Sequence, residues 1–286
     1  MSGPVVIGTD LSADDGPAVA WAESEAELRG AELRLVHGCG EEDMEQLKAD
    51  GMHAVREQAQ QSLDELARTV RERRPGLRVS TEVLDGSARA VLAEAAETAE
   101  LLVIGARGSG GFPGLLAGST SLHAAATAGC PVVVVRGSDD SEARPTGDVV
   151  VGVDAREPGE AVLRFAFTAA ERRNLPLRVV HAWRYPLLRR GQAAPPVYEE
   201  GHVEAEEQRL LAEVLAGWRE EFPTVEVRPD TAKSAAAKLL VARSADAGLL
   251  VVGREGRPTG LIGRLGSVSQ ALVQHARCPV VVVPLD

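Results

Sequence analysis

The stretch LLVIG at Leu101–Gly105, with the glycine-rich segment behind it, decides the fold of this 286-residue chain. Four apolar residues that end at a glycine predict a fully buried β-strand, because a buried helix would need a longer apolar pattern. A second such run, LLVV, ends at Gly253. Behind both runs the motif has the same spacing, G-x2-G-x9-G-S, and its members are Gly105, Gly108, Gly118 and Ser119, then Gly253, Gly256, Gly266 and Ser267. Two matches in this setting mark the functional centre of the chain.

Each glycine-rich segment has the chemistry of a phosphate-binding loop. Glycine lets backbone N–H groups approach an anion without a Cβ in the way. The helical stretches that follow, Ser119–Ala128 and Ser267–Ala276, offer free N–H groups and a positive dipole end, with serine as a favoured N-cap. Arg107 and Arg254 lie inside the two loops, where each either contacts a phosphate or points to solvent. The pattern therefore predicts two anion sites.

Composition argues against several classes of partner. The formal net charge is −11 and there is no Lys/Arg tract, which disfavours nucleic acid and anionic membranes as ligands. No segment resembles a signal peptide or a membrane span. The three cysteines are too few for a disulfide framework and favour a reducing compartment, so we expect the protein in the cytoplasm.

The chain is an internal repeat. Val5–Asp10 returns 144 positions later as Val149–Asp154, and the Cys-Pro pair at Cys130 returns 148 positions later at Cys278. The difference between these two offsets means that the second copy contains four additional residues. We assign them to positions 227–249 and expect them to lengthen a helix there by about one turn. Polar residues with proline and glycine separate the copies. The predicted organisation is a first domain at residues 1–138, a linker at 139–147 and a second domain at 148–286.

Strand-like and helix-like segments alternate in each copy, which predicts a parallel sheet covered by helices on both faces. Asp14, Asp15 and Pro17 signal the start of a helix behind the first strand. Ligands of doubly wound sheets bind beyond the carboxyl ends of the strands, where the strand order reverses. Asp10 and Gly105 would then face one crevice, as would Asp154 and Gly253. Each of these two aspartates is either an acceptor for the base or sugar of a nucleotide or a turn residue, and we favour the first role.

Together these motifs resemble the universal stress protein family. Besides the glycine motifs, the residues that carry the resemblance are Asp10, His37 and Cys130–Val135 in the first copy, and Asp154, His181 and Cys278–Val280 in the second. The resemblance covers essentially the whole chain, which is similar to a tandem universal stress protein of the ATP-binding branch. It implies α/β architecture with two flavodoxin-like, Rossmann-like domains, each a five-stranded parallel sheet of order 3-2-1-4-5 with helices on both faces.

The resemblance also implies one ATP in each domain, commonly with Mg²⁺. Residues implied at the adenine or ribose end of the first site are Thr9, Asp10 and Gly38. Those implied at its ribose and phosphates are Ile104, Gly105, Gly108, Gly118, Ser119 and Ser121. The second set is Val153, Asp154, Ala182, Val252, Gly253, Gly256, Gly266, Ser267 and Ser269. Arg107, Thr120, Arg254 and Val268 complete the candidate binding residues.

Two further features follow from the resemblance. Family members pair through the last strand, so the valine runs at Val132 and Val280 are expected to form an edge between the domains or between the chains of a homodimer. The second copy has Ala155–Pro158 after Asp154, where the family usually places Gly-Ser.

Three functions are compatible with these residues. We favour an ATP-binding regulatory protein of the stress response whose occupancy changes domain or partner contacts, because two phosphate loops come without evident catalytic machinery. The second function is slow ATP hydrolysis, for which Glu255 is the acid to test. The third is a scaffold whose loops stay empty. We therefore expect at most weak ATPase activity, and the sequence specifies no metal site.

Overall fold

The computed structural model describes residues 3–12, 15–40, 49–108, 117–136, 147–185, 201–254 and 265–285, and of residues 49–52 the backbone alone. The ten strands in this part of the chain are β1 Val5–Gly8, β2 Leu33–Cys39, β3 Val79–Asp85, β4 Leu101–Gly105, β5 Val132–Val135, β6 Asp148–Val153, β7 Leu177–Trp183, β8 Val227–Lys233, β9 Ala247–Gly253 and β10 Val280–Val283. The eight helices are α1 Gly16–Arg29, α2 Ala49–Arg73, α3 Ala88–Ala96, α4 Ser119–Thr127, α5 Glu160–Arg173, α6 His202–Glu221, α7 Ala236–Arg243 and α8 Ser267–His275. None of these described helices is long and apolar enough to cross a membrane.

All ten strands form one sheet, in the order β3-β2-β1-β4-β5-β10-β9-β6-β7-β8. Each half therefore has the predicted order 3-2-1-4-5, and its neighbouring strands are parallel. The halves meet where β5 and β10 pair antiparallel, with Val133 opposite Val281. The predicted pairing of the last strands is thus made within the chain, between its two domains. The predicted linker lies outside the described residues apart from Gly147, and the domain boundaries stay predictions.

Helices cover both faces of the sheet because its central strands are apolar on both faces. Side chains of β1 alternate between two cores, with Val5 and Ile7 in one and Val6 in the other. The first core is completed by α1, α2, α5 and α6, and the second by α3, α4, α7 and α8. Burial on both sides explains why these strands are continuous apolar runs.

The four additional residues of the second copy lie before β8, so their predicted position is wrong. Val79 pairs with Leu33, and Val227 pairs with Leu177. Leu177 follows Leu33 by 144 positions, but Val227 follows Val79 by 148, so the insertion has already occurred where β8 begins. The predicted longer helix is also wrong, because α7 has 8 residues against 9 in α3. β3 and β8 are edge strands with polar, dissimilar sequences, and the repeat cannot be followed through them.

Where β5 and β10 pair, α1 of the first domain and α5 of the second contact each other through side chains at matched positions of the repeat. Arg29 lies over the ring of Phe165, and Arg173, its counterpart in the repeat, lies over the ring of Trp21. Glu25 accepts hydrogen bonds from both arginines and is almost fully buried. Removal of either arginine would leave this buried carboxylate with one ionic partner instead of two. The pattern indicates a pseudo-twofold relation between the domains.

Candidate functional site

The loops after β1 and β4 face each other at the carboxyl edge of the first-domain sheet. β1 lies between β2 and β4, so the strand order reverses at this point. Asp10 follows β1, and Gly108 lies in the loop after β4. A Cβ built on Gly108 would be 3.0 Å from Oδ2 of Asp10. The structure thus brings an aspartate and a motif glycine next to each other at the edge of the sheet where the crevice is predicted.

The described motif glycines are needed for close approach of atoms, not for left-handed backbone. Positive φ angles occur in the described chain at three other glycines, Gly30, Gly86 and Gly201. A Cβ on Gly105 would lie 3.1 Å from the carbonyl oxygen of Arg107, and one on Gly118 would lie 3.6 Å from that of Ala106. Because glycine has no Cβ, these backbone carbonyls can lie close to the end of β4 and to the start of α4.

The start of α4 is fixed against the end of β4 by two hydrogen bonds. The N–H of Gly118 donates to the carbonyl of Ala106 at 2.7 Å, and the hydroxyl of Ser121 donates to the carbonyl of Gly105 at 2.8 Å. Gly118 is the N-cap, so the predicted capping role of Ser119 is wrong. The helix begins at Ser119, as the sequence predicts, because these bonds hold Gly118 directly before it, and Ser119 is exposed as the first helical residue.

The second domain repeats this arrangement, in which a serine hydroxyl fixes the start of a helix to the glycine that ends a strand, and which we call the backbone frame. Gly266 is the N-cap of α8, so the capping role of Ser267 is wrong for the same reason. The hydroxyl of Ser269 donates to the carbonyl of Gly253 at 2.7 Å. Ser121 and Ser269 are nearly fully buried and bonded within the fold. These two hydroxyls position the starts of the helices, and their predicted contact with a ligand stays a prediction.

The loop after β1 is held in a strained, hydrogen-bonded conformation. Leu11 has a φ angle of 60°, a region that residues with a side chain rarely adopt. The N–H of Leu11 donates to Oγ1 of Thr9 at 2.9 Å, and the N–H of Ser12 donates to Oδ1 of Asp10 at 3.0 Å. His37 donates from Nδ1 to the carbonyl of Thr9 at 2.9 Å. These bonds orient Asp10 at the crevice.

Asp15 is a site residue that the sequence pattern does not reveal. It stands at the N-cap of α1, as its helix-start signal predicts, but its side chain makes no capping bond. Its Oδ2 accepts from the hydroxyl of Thr9 at 2.5 Å and from the N–H of Asp10 at 2.8 Å. Its Oδ1 lies 3.4 Å from a Cβ built on Gly105. Gly159 takes its place in the second copy, so the repeat carries no signal for this carboxyl group.

The environment of Asp15 changes its titration. Burial raises the pKa of the Asp15 carboxyl to about 6. The hydrogen bond from Thr9 acts against this rise, and the nearby charge of Asp10 adds to it. A carboxyl group that titrates near pH 6 therefore lies beneath the end of β4.

In the second domain a buried network holds the loop after β6. The N–H of Arg156 donates to Oδ1 of Asp154 at 3.0 Å, the same turn as in the first domain. Glu207 of α6 accepts from Nε2 of His181 at 2.9 Å and from both terminal nitrogens of Arg156. The N–H of Ala155 donates to Nδ1 of His181 at 3.3 Å. Burial acts to raise the pKa of Glu207, but the hydrogen bonds from Arg156 and His181 outweigh it and hold that pKa below its ordinary value.

The two loop arginines have different surroundings. Arg107 is exposed beside the first crevice. Arg254 is half-buried, and its Nη1 donates to the carbonyl of Ala128 at 2.9 Å, at the end of α4 in the first domain. The guanidinium of Arg254 is thus engaged across the domain boundary, which is neither of the arrangements considered from the sequence. The predicted contact of Arg254 with a phosphate stays a prediction, and its bond to the other domain cannot be recognised from the sequence of one loop.

The remaining candidates lie at the strand ends and helix starts that border the crevices. Ile104 and Val252 are buried in the core on the α3 side of the sheet, so only their backbone can reach a ligand. Gly38, Thr120, Val153, Ala182 and Val268 are half-buried. Gly256 and Glu255 lie outside the described residues. Within the described ranges, no group of three or more His, Cys, Asp or Glu is placed to hold a metal ion.

Fold and site together define a class: two fused, doubly wound α/β domains, each with a glycine loop and a helix start at the point where the strand order reverses. The model of the universal stress protein family matches residues 1–136 and again residues 146–284. The chain belongs to that family, as a tandem of two of its domains.

Relatives of the same length support this assignment. The universal stress protein of Mycolicibacterium smegmatis is 34% identical over 290 residues, which cover 98% of this chain and 96% of that protein. Universal stress protein Rv2623 of Mycobacterium tuberculosis is 34% identical over 294 residues, covering 98% and 97%. The crystal structure of a universal stress protein from Archaeoglobus fulgidus has a TM-score of 0.73 at 18% identity, over 100% of this chain and 97% of that one. The last comparison shows the shared fold.

Proposed function

We propose that this universal stress protein is an ATP-binding regulatory protein of the stress response, with one nucleotide in each domain. The observation that carries the proposal is the first crevice, where Asp10 faces Gly108 beside the start of α4, which is hydrogen-bonded to the end of β4. Free N–H groups at a helix start suit phosphate oxygens, and a carboxylate opposite them suits the hydroxyl or amino donors of a nucleoside. The second domain repeats the same frame, which supports a second site.

The residues divide by position within each proposed site. In the first, Thr9, Asp10 and Gly38 lie toward the base and ribose, and Gly105, Gly108, Gly118 and Ser119 lie toward the phosphates. Mg²⁺ would be held mainly by phosphate oxygens and water, since it keeps much of its hydration shell in such sites. Binding would order the loops around the nucleotide and so alter contacts with a partner or a second chain.

Location and assembly complete the proposal. The thiols of Cys39, Cys130 and Cys278 are buried and not joined in disulfides, which supports a reducing, cytoplasmic location. A homodimer is also proposed, in addition to the pairing of β5 and β10 inside the chain.

Thermal unfolding with ATP and Mg²⁺ tests the proposal. Nucleotide at about 100 times its dissociation constant should stabilise a site by roughly 2.7 kcal/mol. For a chain of this size the midpoint should rise by about 2–4 °C per kcal/mol. Gly105→Val and Gly253→Val should each remove part of the shift, because the new side chain fills the approach to the strand end. Matched controls are Gly76→Val and Gly217→Val, where an added Cβ meets no atom within 4 Å.

The outcomes separate the three functions. A shift in the wild type that both site variants reduce and both controls retain supports two nucleotide sites. Release of inorganic phosphate by the wild type would then favour hydrolysis over a purely regulatory role. If the wild type shows no shift at millimolar ATP and retains no nucleotide through purification, the scaffold function is the one that is left.

A further inference from the structure

Leu285, two residues after β10, packs between the end of β9 and the start of α5. We call this place, and the matched place between the end of β4 and the start of α1, the floor of the crevice. A Cβ built on Gly253, at the end of β9, would lie 3.2 Å from Cδ1 of Leu285. One built on Gly159, the N-cap of α5, would lie 2.8 Å from Cδ2 of the same side chain. Val162 completes the contact, with its Cγ2 at 3.1 Å from the Cβ position of Gly253. The space between the end of β9 and the start of α5 is therefore occupied by aliphatic atoms.

The first crevice has a polar group at the matched place. Asp15 stands where the second copy has Gly159, and its Oδ1 faces the end of β4 at Gly105. Ala18 stands where the second copy has the larger Val162. The first floor thus combines a carboxyl group with a small side chain, and the second combines two larger apolar side chains.

We propose that Leu285 is a specificity-determining residue of the second site, which makes that site bind nucleotide more weakly than the first. The inference rests on the proposed function of the crevices. A nucleotide that crosses the strand end at Gly253 meets the Leu285 side chain, which must then move into water. Moving a partly buried leucine side chain to water lowers the apparent affinity by about tenfold. The two sites are consequently filled in order, the first before the second.

Calorimetric titration with ATP and Mg²⁺ in a Gly105→Val background tests the second site alone. Leu285→Ala should tighten binding by about tenfold, because the smaller side chain leaves the floor open. Leu285→Met keeps a similar volume and should bind as the parent does. Leu285→Ser opens the same space with a polar side chain, and it replaces the alanine variant if that variant loses its native circular dichroism spectrum.

The result that overturns the inference differs from the one that overturns the proposed function. Equal affinities of Leu285→Ala, Leu285→Ser and Leu285→Met, with ATP still bound by the first site of the wild type, would exclude a role for Leu285. Absence of ATP binding at both sites of the wild type would overturn the proposed function, and this inference with it. Tighter binding in Leu285→Ala, or in Leu285→Ser where that variant replaces it, but not in Leu285→Met, supports the inference.

Discussion

The two crevices share one backbone frame but differ in the side chains that support it. In both, a serine hydroxyl ties the start of a helix to the carbonyl of the glycine that ends a strand. The first floor carries the carboxyl group of Asp15, and the second carries the side chain of Leu285. A few hydrogen bonds to backbone atoms therefore suffice to keep the frame, while the polarity of the floor diverges between the copies.

The loops after β1 and β6 are also held from different directions. In the first domain, Asp15 accepts hydrogen bonds from Thr9 and Asp10 within the same loop. In the second, Glu207 of α6 reaches the loop through Arg156 and His181. Each domain thus has its own buried carboxyl group, one supplied locally and one supplied by a distant helix.

The largest difference is expected from removing the second-domain carboxyl group. Glu207→Ala leaves His181 buried without its Nε2 partner, and we expect a loss of about 3 kcal/mol in the free energy of unfolding. Urea denaturation followed by tryptophan fluorescence measures it. Glu206→Ala removes an exposed carboxylate from the same helix and should cost less than about 0.5 kcal/mol. Equal losses in the two variants would show that the network contributes nothing to the second domain.

A smaller and pH-dependent effect is expected from the first-domain carboxyl group. Because the pKa of Asp15 rises from 3.8 to about 6 on folding, the folded chain binds this proton more tightly than the unfolded chain. The resulting stabilisation is full below about pH 4 and is lost as the pH rises through 6. Asp15→Asn cannot ionise, so the fall in stability between pH 4 and pH 7 should be smaller by about 2–3 kcal/mol.

Urea denaturation at a series of pH values checks the Asp15 prediction. Glu206→Ala again serves as the control for the loss of one surface carboxylate. A pH profile of Asp15→Asn that matches the wild type would contradict a buried, titrating carboxyl group at the first floor. It would also remove the main electrostatic difference between the two crevices.

The smallest effect tests what the crevices share. Ser121→Ala and Ser269→Ala each remove one buried hydrogen bond, so each should lower the free energy of unfolding by about 1 kcal/mol. Ser119→Ala should cost clearly less, since Gly118 and not Ser119 is the N-cap. Chemical denaturation of the three variants provides the comparison. Clearly unequal losses for Ser121→Ala and Ser269→Ala would mean that the frame is not equivalent in the two domains.

Much of the fold is predictable because its signals are local and repeated. Apolar runs that end at glycine predict parallel strands, and the return of the same motif predicts two similar domains. The placement of the four additional residues fails because the edge strands β3 and β8 lack a shared apolar pattern. The N-cap assignment of Ser119 fails because hydrogen bonds to the end of β4 hold Gly118 in that place. Asp15 has a helix-start signal in the sequence, but nothing there indicates that its side chain turns back toward the crevice.

The sequence by itself determined the family and the two glycine motifs, since these depend on residue types at fixed spacing along the chain, and the strand order was implied by the resemblance to that family. Only the tertiary structure decided what lies at each floor. Leu285 reaches Gly253 and Gly159 because β10 runs beside β9, and Arg254 reaches Ala128 because the two domains share one sheet. Both contacts join residues that are distant along the chain, and folding brings them together through the pairing of the last strands.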